Sequence, residues 1–161
     1  MIHRSAHPSP CPVIGWREWL VLPDLHIAAV KVKVDTGARS SALHAFDIHR
    51  FIENGVEMVR FQVHPLQRNT AMTVAAAAPL LEERVVRSSG GHAQLRPVIQ
   101  TRVALGDRCW PIELTLTNRD VMGFRMLLGR EAVRQRFWVD PGRSYLLSHA
   151  PSGDKPRSVH P

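Results

Sequence analysis

Between Val30 and Asp35 the chain alternates apolar and charged side chains, and the alternation ends at Thr36 and Gly37. A period of two belongs to a β-strand with one face on a core. Val30, Val32 and Val34 form the inward set, and Lys31, Lys33 and Asp35 the outward set. The fold therefore contains a half-buried strand whose last outward side chain is a carboxylate at a tight turn. Gly37 lacks a Cβ, so another backbone can come close. Thr36 brings a hydroxyl able to tie the turn to a neighbour. Asp-Thr-Gly is also an ordinary turn tripeptide, so its meaning depends on what the rest of the chain supplies.

Other segments read the same way. "EWLVLP", "IAAVKVKV" and "MVRFQVHP" predict strands, and "RPVIQTRVAL" and "CWPIELTLTN" flank "GDR" as a hairpin. "RMLLG" has the continuous apolar run of a buried strand, and "REAVRQRF" predicts one short helix with Val133 and Phe137 a turn apart. "FWV" and "SYLL" are expected as strands around "DPGR", where Pro141 and Gly142 suit the centre of a type II turn. The alanine run ending at Pro79 is open between a helix stopped by proline and a surface insertion. The sum is mainly β, a compact barrel or sandwich with one helix near the C-terminus. A single domain over residues 13–149 is expected between flexible polar tails at 1–12 and 150–161.

The 161 residues fit one domain, and an apolar fraction of 44% is enough for one core. Cys11 and Cys109 make neither a zinc cluster nor a disulfide framework. Cys109 is expected to be buried and Cys11 free in the tail. No apolar run reaches the length of a secretion signal or a membrane span, so a cytoplasmic protein with no membrane partner is expected. The net charge is +7, carried almost wholly by arginine, since only Lys31, Lys33 and Lys155 are lysine. The arginines are scattered rather than clustered. A solvated basic surface is therefore expected, and nucleic acid is not the expected partner. RNA binding through arginine would show as a steep salt dependence.

Downstream of the Asp-Thr-Gly turn comes "RSSGGHAQLRPVI", a hairpin with Gly90 and Gly91 at its tip, and then "RMLLGREAV", an apolar strand that stops at Gly129 and starts the helix. This ordered set resembles the retropepsin-like aspartic proteases. The resemblance implies a closed β half-lobe, a catalytic turn of Asp35, Thr36 and Gly37, and a glycine-rich flap over substrate. The whole body, "VIGWREWLVLPDL" to "FWVDPGRSYLL", is similar to a bacterial family labelled ATP-dependent zinc protease. That family is linked with RimK-type ATP-grasp ligases, which add glutamates to a ribosomal protein. The label finds no support in the motifs. There is no GxxxxGK[ST] loop and no His-Glu-x-x-His helix, so neither a cofactor nor a metal ligand set is expected.

Aspartic proteolysis needs two carboxylates facing one water, sharing a proton. Of the seven aspartates only Asp35 precedes a Thr/Ser-Gly pair, and the chain has no internal repeat. The resemblance therefore implies a homodimer with two Asp35 turns on its two-fold axis. The strand near Val13 and the "SYLL" segment are implied as interface strands.

Retropepsins often continue the turn with a further Asp, which pairs with the Arg after the last Gly. Here that position is Arg39, while Arg130 follows Gly129. Either Glu131 satisfies one of the two arginines and leaves the other for substrate, or both are paired with Glu131 or with backbone carbonyls; the two readings stay open. With Ala38, and with Arg87, Ser89, Gly90, Gly91 and His92 of the hairpin, the two arginines make the expected substrate-binding set, suited to an acidic or glutamate-rich peptide. His26, Trp16, Trp19, Trp110 and Trp138 carry no assigned chemistry. Two other readings stay open: a non-catalytic protein-binding module on the same fold, and a zinc-dependent peptidase as the label states.

Overall fold

The computed structural model describes residues 11–66, 71–87, 90–118 and 123–152. Strands β1 (Val13–Gly15), β2 (Arg17–Leu22), β3 (Ile27–Asp35), β4 (Ser41–His44), β5 (Phe46–Glu53) and β6 (Val56–Val63) come first. They are followed by β7 (Val74–Arg87), β8 (Ala93–Leu105), β9 (Arg108–Thr117) and β10 (Met126–Gly129), then helix α1 (Arg130–Val133) and β11 (Trp138–Asp140). The fold is mainly β with one short helix, as expected. β1 and β11 form a parallel pair, and the other nine strands make one sheet in the order β2-β3-β10-β4-β9-β8-β7-β6-β5. β8 also meets β2 at Val21 and Ala104, so strands β2 to β8 of that order close into a ring.

The alternation in β3 does what its period requires. Val30, Val32 and Val34 are buried inside the ring with Leu20, Leu43, Leu114 and Met126, while Lys31, Lys33 and Asp35 are half-buried on the outer face. Each such fully buried aliphatic side chain contributes about 1.5–3 kcal/mol. β10 lies parallel to β3 and antiparallel to β4, with neighbours on both edges and cover on both faces. All four of its residues are buried, which explains why it reads as an unbroken apolar run.

Several expectations are corrected. The helix ends at Val133 rather than running to Phe137, because Arg134 is extended and Gln135 takes φ 64°. Ala75–Pro79 is neither helix nor insertion but part of β7, laid against β6 with Ala76 opposite Phe61. "SYLL" is not a strand. It is a segment clipped by the buried Glu18 carboxylate, which accepts the Leu146 and Leu147 amides at 2.9 and 2.7 Å. Gly142 does not take the positive φ of a type II turn; its amide donates to Asp140 Oδ1 at 2.9 Å instead. Cys109 is exposed, not buried, because Trp110 beside it on β9 is the inward residue. Cys11 is half-buried, with its thiol 3.7 Å from the Gln135 carbonyl oxygen.

Candidate active site

β3 delivers Asp35 to the turn, and the carboxylate caps that turn itself. Asp35 Oδ1 accepts the amides of Gly37 at 3.0 Å and Ala38 at 3.2 Å, and the Asp35 carbonyl accepts Ala38 N–H at 3.3 Å. One carboxylate oxygen is thus held by backbone, which orients the other. A Cβ on Gly37 would lie 3.2 Å from Asp35 Oδ1, so glycine leaves room for this contact.

The β10–α1 corner supports the turn from beside it. Gly129 is in register with Asp35, Arg130 N–H donates to Ala38 O at 2.7 Å, and Glu131 N–H donates to Arg39 O at 3.2 Å. Gly129 N–H donates to the buried Ser41 hydroxyl at 3.0 Å. The Arg130 guanidinium donates to Thr36 O at 3.3 Å, so it braces the turn. Glu131 satisfies neither Arg39 nor Arg130; its ion pair is with Arg134, at 3.7 Å. Arg39 is exposed and lines a cavity of about 370 Å³ together with Arg84, Trp110, Glu113, Glu131 and Arg136. Both acidic groups there are already engaged, Glu113 with Arg84 at 2.8 Å and Glu131 with Arg134.

The chain thus gathers Asp35, Thr36, Gly37, Ala38, Arg39 and Arg130 in one place. Arg87, Gly90, Gly91 and His92 lie apart from them, exposed at the tip of the β7–β8 hairpin, where Gly91 takes φ 81°. Ser89 lies outside the described residues. Two hairpin residues escaped the sequence reading. Val85 and Leu95 face each other across the hairpin at 62% and 59% exposure, an apolar patch on the element expected to cover substrate. Their signal was the alternation of the hairpin strands, masked by the glycines and arginines around them. Among the described residues no group of three or more His, Cys, Asp or Glu is gathered in metal-binding array. No helix among them is long and apolar enough to cross a membrane.

The family model described as "RimB-like: Retropepsin-like aspartic endopeptidase RimB" matches residues 13–149. A protein of Parasynechococcus marenigrum named "Probable alpha-L-glutamate ligase" is 47% identical over 135 residues, which are 84% of this chain and 29% of that protein. One of the same name from Desulfotalea psychrophila is 46% identical over 129 residues, 80% of this chain and 28% of that one. The chain therefore spans less than a third of the length of the curated relatives it matches. A crystal structure of a Legionella pneumophila protein of unknown function superposes with a TM-score of 0.68 at 28% identity, covering 84% of this chain and 97% of that one.

Proposed function

The chain belongs to the RimB-like family of retropepsin-like aspartic endopeptidases, and from that premise we propose that it hydrolyses peptide bonds as a homodimer, with Asp35 of each copy facing one water. The observation that carries this is the self-capped Asp35 turn, its Oδ1 fixed by the Gly37 and Ala38 amides. Fixing one oxygen leaves the other poised for water or for the partner's carboxylate. Two facing carboxylates hold one proton between them. The charged one takes a proton from the water as its oxygen attacks the carbonyl carbon. The protonated one donates to the carbonyl oxygen, giving a tetrahedral diol. Collapse breaks the C–N bond, and the proton taken from the water passes to the leaving amine. No covalent intermediate forms. Thr36 is the group suited to a hydrogen bond across the axis, and the hairpin bearing Arg87, Gly90, Gly91 and His92 is suited to cover the peptide.

The ligase relatives bear on substrate. A peptidase domain similar to part of proteins named for joining glutamate fits a glutamate-bearing peptide, and a net charge of +7 favours an acidic one. The same likeness supports a functional link to a glutamate ligase, which we take to be of the ATP-grasp type.

The test is cleavage of a glutamate-extended peptide by the wild type and by Asp35→Asn, each with and without chelator. The expected outcome is cleavage that survives chelator and drops about 100- to 10,000-fold in the variant. Cleavage abolished by chelator yet retained by Asp35→Asn would overturn the aspartic mechanism in favour of the metal-dependent one.

A further inference from the structure

On the outer face of β2 and β3, beside the turn, aromatic rings and cations are stacked into one surface. Arg17 is directly opposite Lys33. Asp35, two residues on from Lys33, is then the diagonal neighbour of Arg17 on the same face, about 7–8 Å away along the sheet. Trp16 is anchored beside it, its carbonyl accepting Val34 N–H at 2.8 Å. The Arg17 guanidinium lies 4.7 Å from the Trp16 ring centre and 5.0 Å from that of Tyr145. Its Nε donates to Ser144 Oγ at 3.0 Å. Phe124 meets Trp16 edge-on at 6.0 Å and extends the surface to Lys31, whose ammonium lies 5.7 Å from Phe124 and 5.9 Å from Trp19.

The surface is built from both ends of the domain. Ser144 and Tyr145 reach Arg17 because the next residues are latched by Glu18, which is fully buried on the opposite face of β2. Tyr145 N–H also donates to Arg17 O at 3.0 Å. A guanidinium over aromatic rings has lost water from its faces while its edge still presents N–H groups in one plane. That edge matches a carboxylate, which accepts two parallel hydrogen bonds.

We propose that Arg17 is a specificity-determining residue, which selects a peptide carrying a carboxylate side chain next to the scissile bond, and that Trp16 and Tyr145 hold its guanidinium for that contact. The inference rests on the reading of Asp35 as the peptidase carboxylate and adds to it the group that reads the acid. It moves that role from Arg39, Arg87 and Arg130 to a cation on Asp35's own face.

Two readouts separate the inference from its premise. Hydrolysis by the full chain is measured as kcat/KM on two peptides that differ only in Glu or Gln flanking one cleavable bond. Binding of the same peptides is measured by calorimetry on the Asp35→Asn protein. Arg17→Gln and Arg17→Lys are made on each background, with circular dichroism to verify folding. The expected result is a Glu-over-Gln preference of about 10- to 100-fold that collapses to about threefold or less in Arg17→Gln and is partly restored in Arg17→Lys. Arg17→Gln lowering both peptides by one factor overturns the inference and leaves the Asp35 reading standing. Glu-selective binding that needs Arg17, with no hydrolysis by the wild type, upholds the inference and removes the peptidase reading. Absence of any Glu preference in the wild type, or single-stranded RNA that binds through Arg17 and is not displaced by the Glu peptide, overturns it.

Discussion

A methyl group on Gly129 would sit 2.6 Å from the carbonyl carbon and oxygen of Ser40 and 2.9 Å from Arg39 O. These are backbone atoms, so no rotamer change relieves the contact. At Gly37 an added Cβ meets only the Asp35 Oδ1, at 3.2 Å. Gly129→Ala should therefore cost about 2–3 kcal/mol of stability, read as a lower urea midpoint at unchanged slope, and Gly37→Ala clearly less. Equal midpoints for the two variants would contradict the packing described here. At this scale the sequence made the Asp35 turn legible, because the alternation and the glycine are local signals. It did not reveal where the cations go. Arg130 bracing Thr36 O, Glu131 pairing with Arg134, and Arg17 stacking on Trp16 and Tyr145 all depend on which segments the fold brings together. Arg17 and Tyr145 lie at opposite ends of the domain, and no local pattern links them.

Elements were legible where pairing and propensity agree. The strand "IAAVKVKV" and the buried "MLLG" appear as read, whereas Ala75–Pro79 shows pairing overriding propensity, since β6 imposes the extended state on alanines. The hairpin β5–β6 fixes Phe46–Glu53 as a strand for a similar reason. The ring of strands has one weak seam, where β2 and β8 pair at a single position, and a surface ion pair reinforces it. Asp24, in the short 3-10 turn after β2, accepts Arg102 Nη2 at 2.6 Å and the Arg102 amide at 3.2 Å. The side-chain hydrogen bond from Arg102, then its backbone amide, holds the Asp24 carboxyl below the ordinary value of 3.8. A carboxyl depressed in the folded state binds fewer protons there than in the unfolded chain. Its contribution is thus present at neutral pH and lost as pH falls below that ordinary value and through the folded one. Asp24→Asn should lower the urea midpoint at pH 7, and the gap should close once the pH has fallen through the folded-state value. It should also shrink in about 1 M salt, since the pair is exposed. A gap that persists in acid would show that the aspartate acts through something other than its charge.

At the scale of the whole molecule the chain offers one Asp-Thr-Gly turn on one ring of strands, and two-carboxylate chemistry needs a second. The sequence made this shortage legible by containing no repeat, but the partner that remedies it lies outside a single chain. If the active species is a symmetric pair, a copy bearing Asp35→Asn will fold, pair with the wild type and spoil the shared site. With that variant in ninefold excess and random pairing, about one wild-type chain in ten meets another wild-type chain. Activity per wild-type chain should then fall to about a tenth, with substrate held far above total protein so that the variant cannot act by sequestering it. The mixture must be given time to exchange subunits, which a stepwise fall in rate after mixing would reveal. A site complete within one chain, whether it uses Asp35 alone or a metal, predicts the opposite: the rate per wild-type chain stays constant however much variant is added.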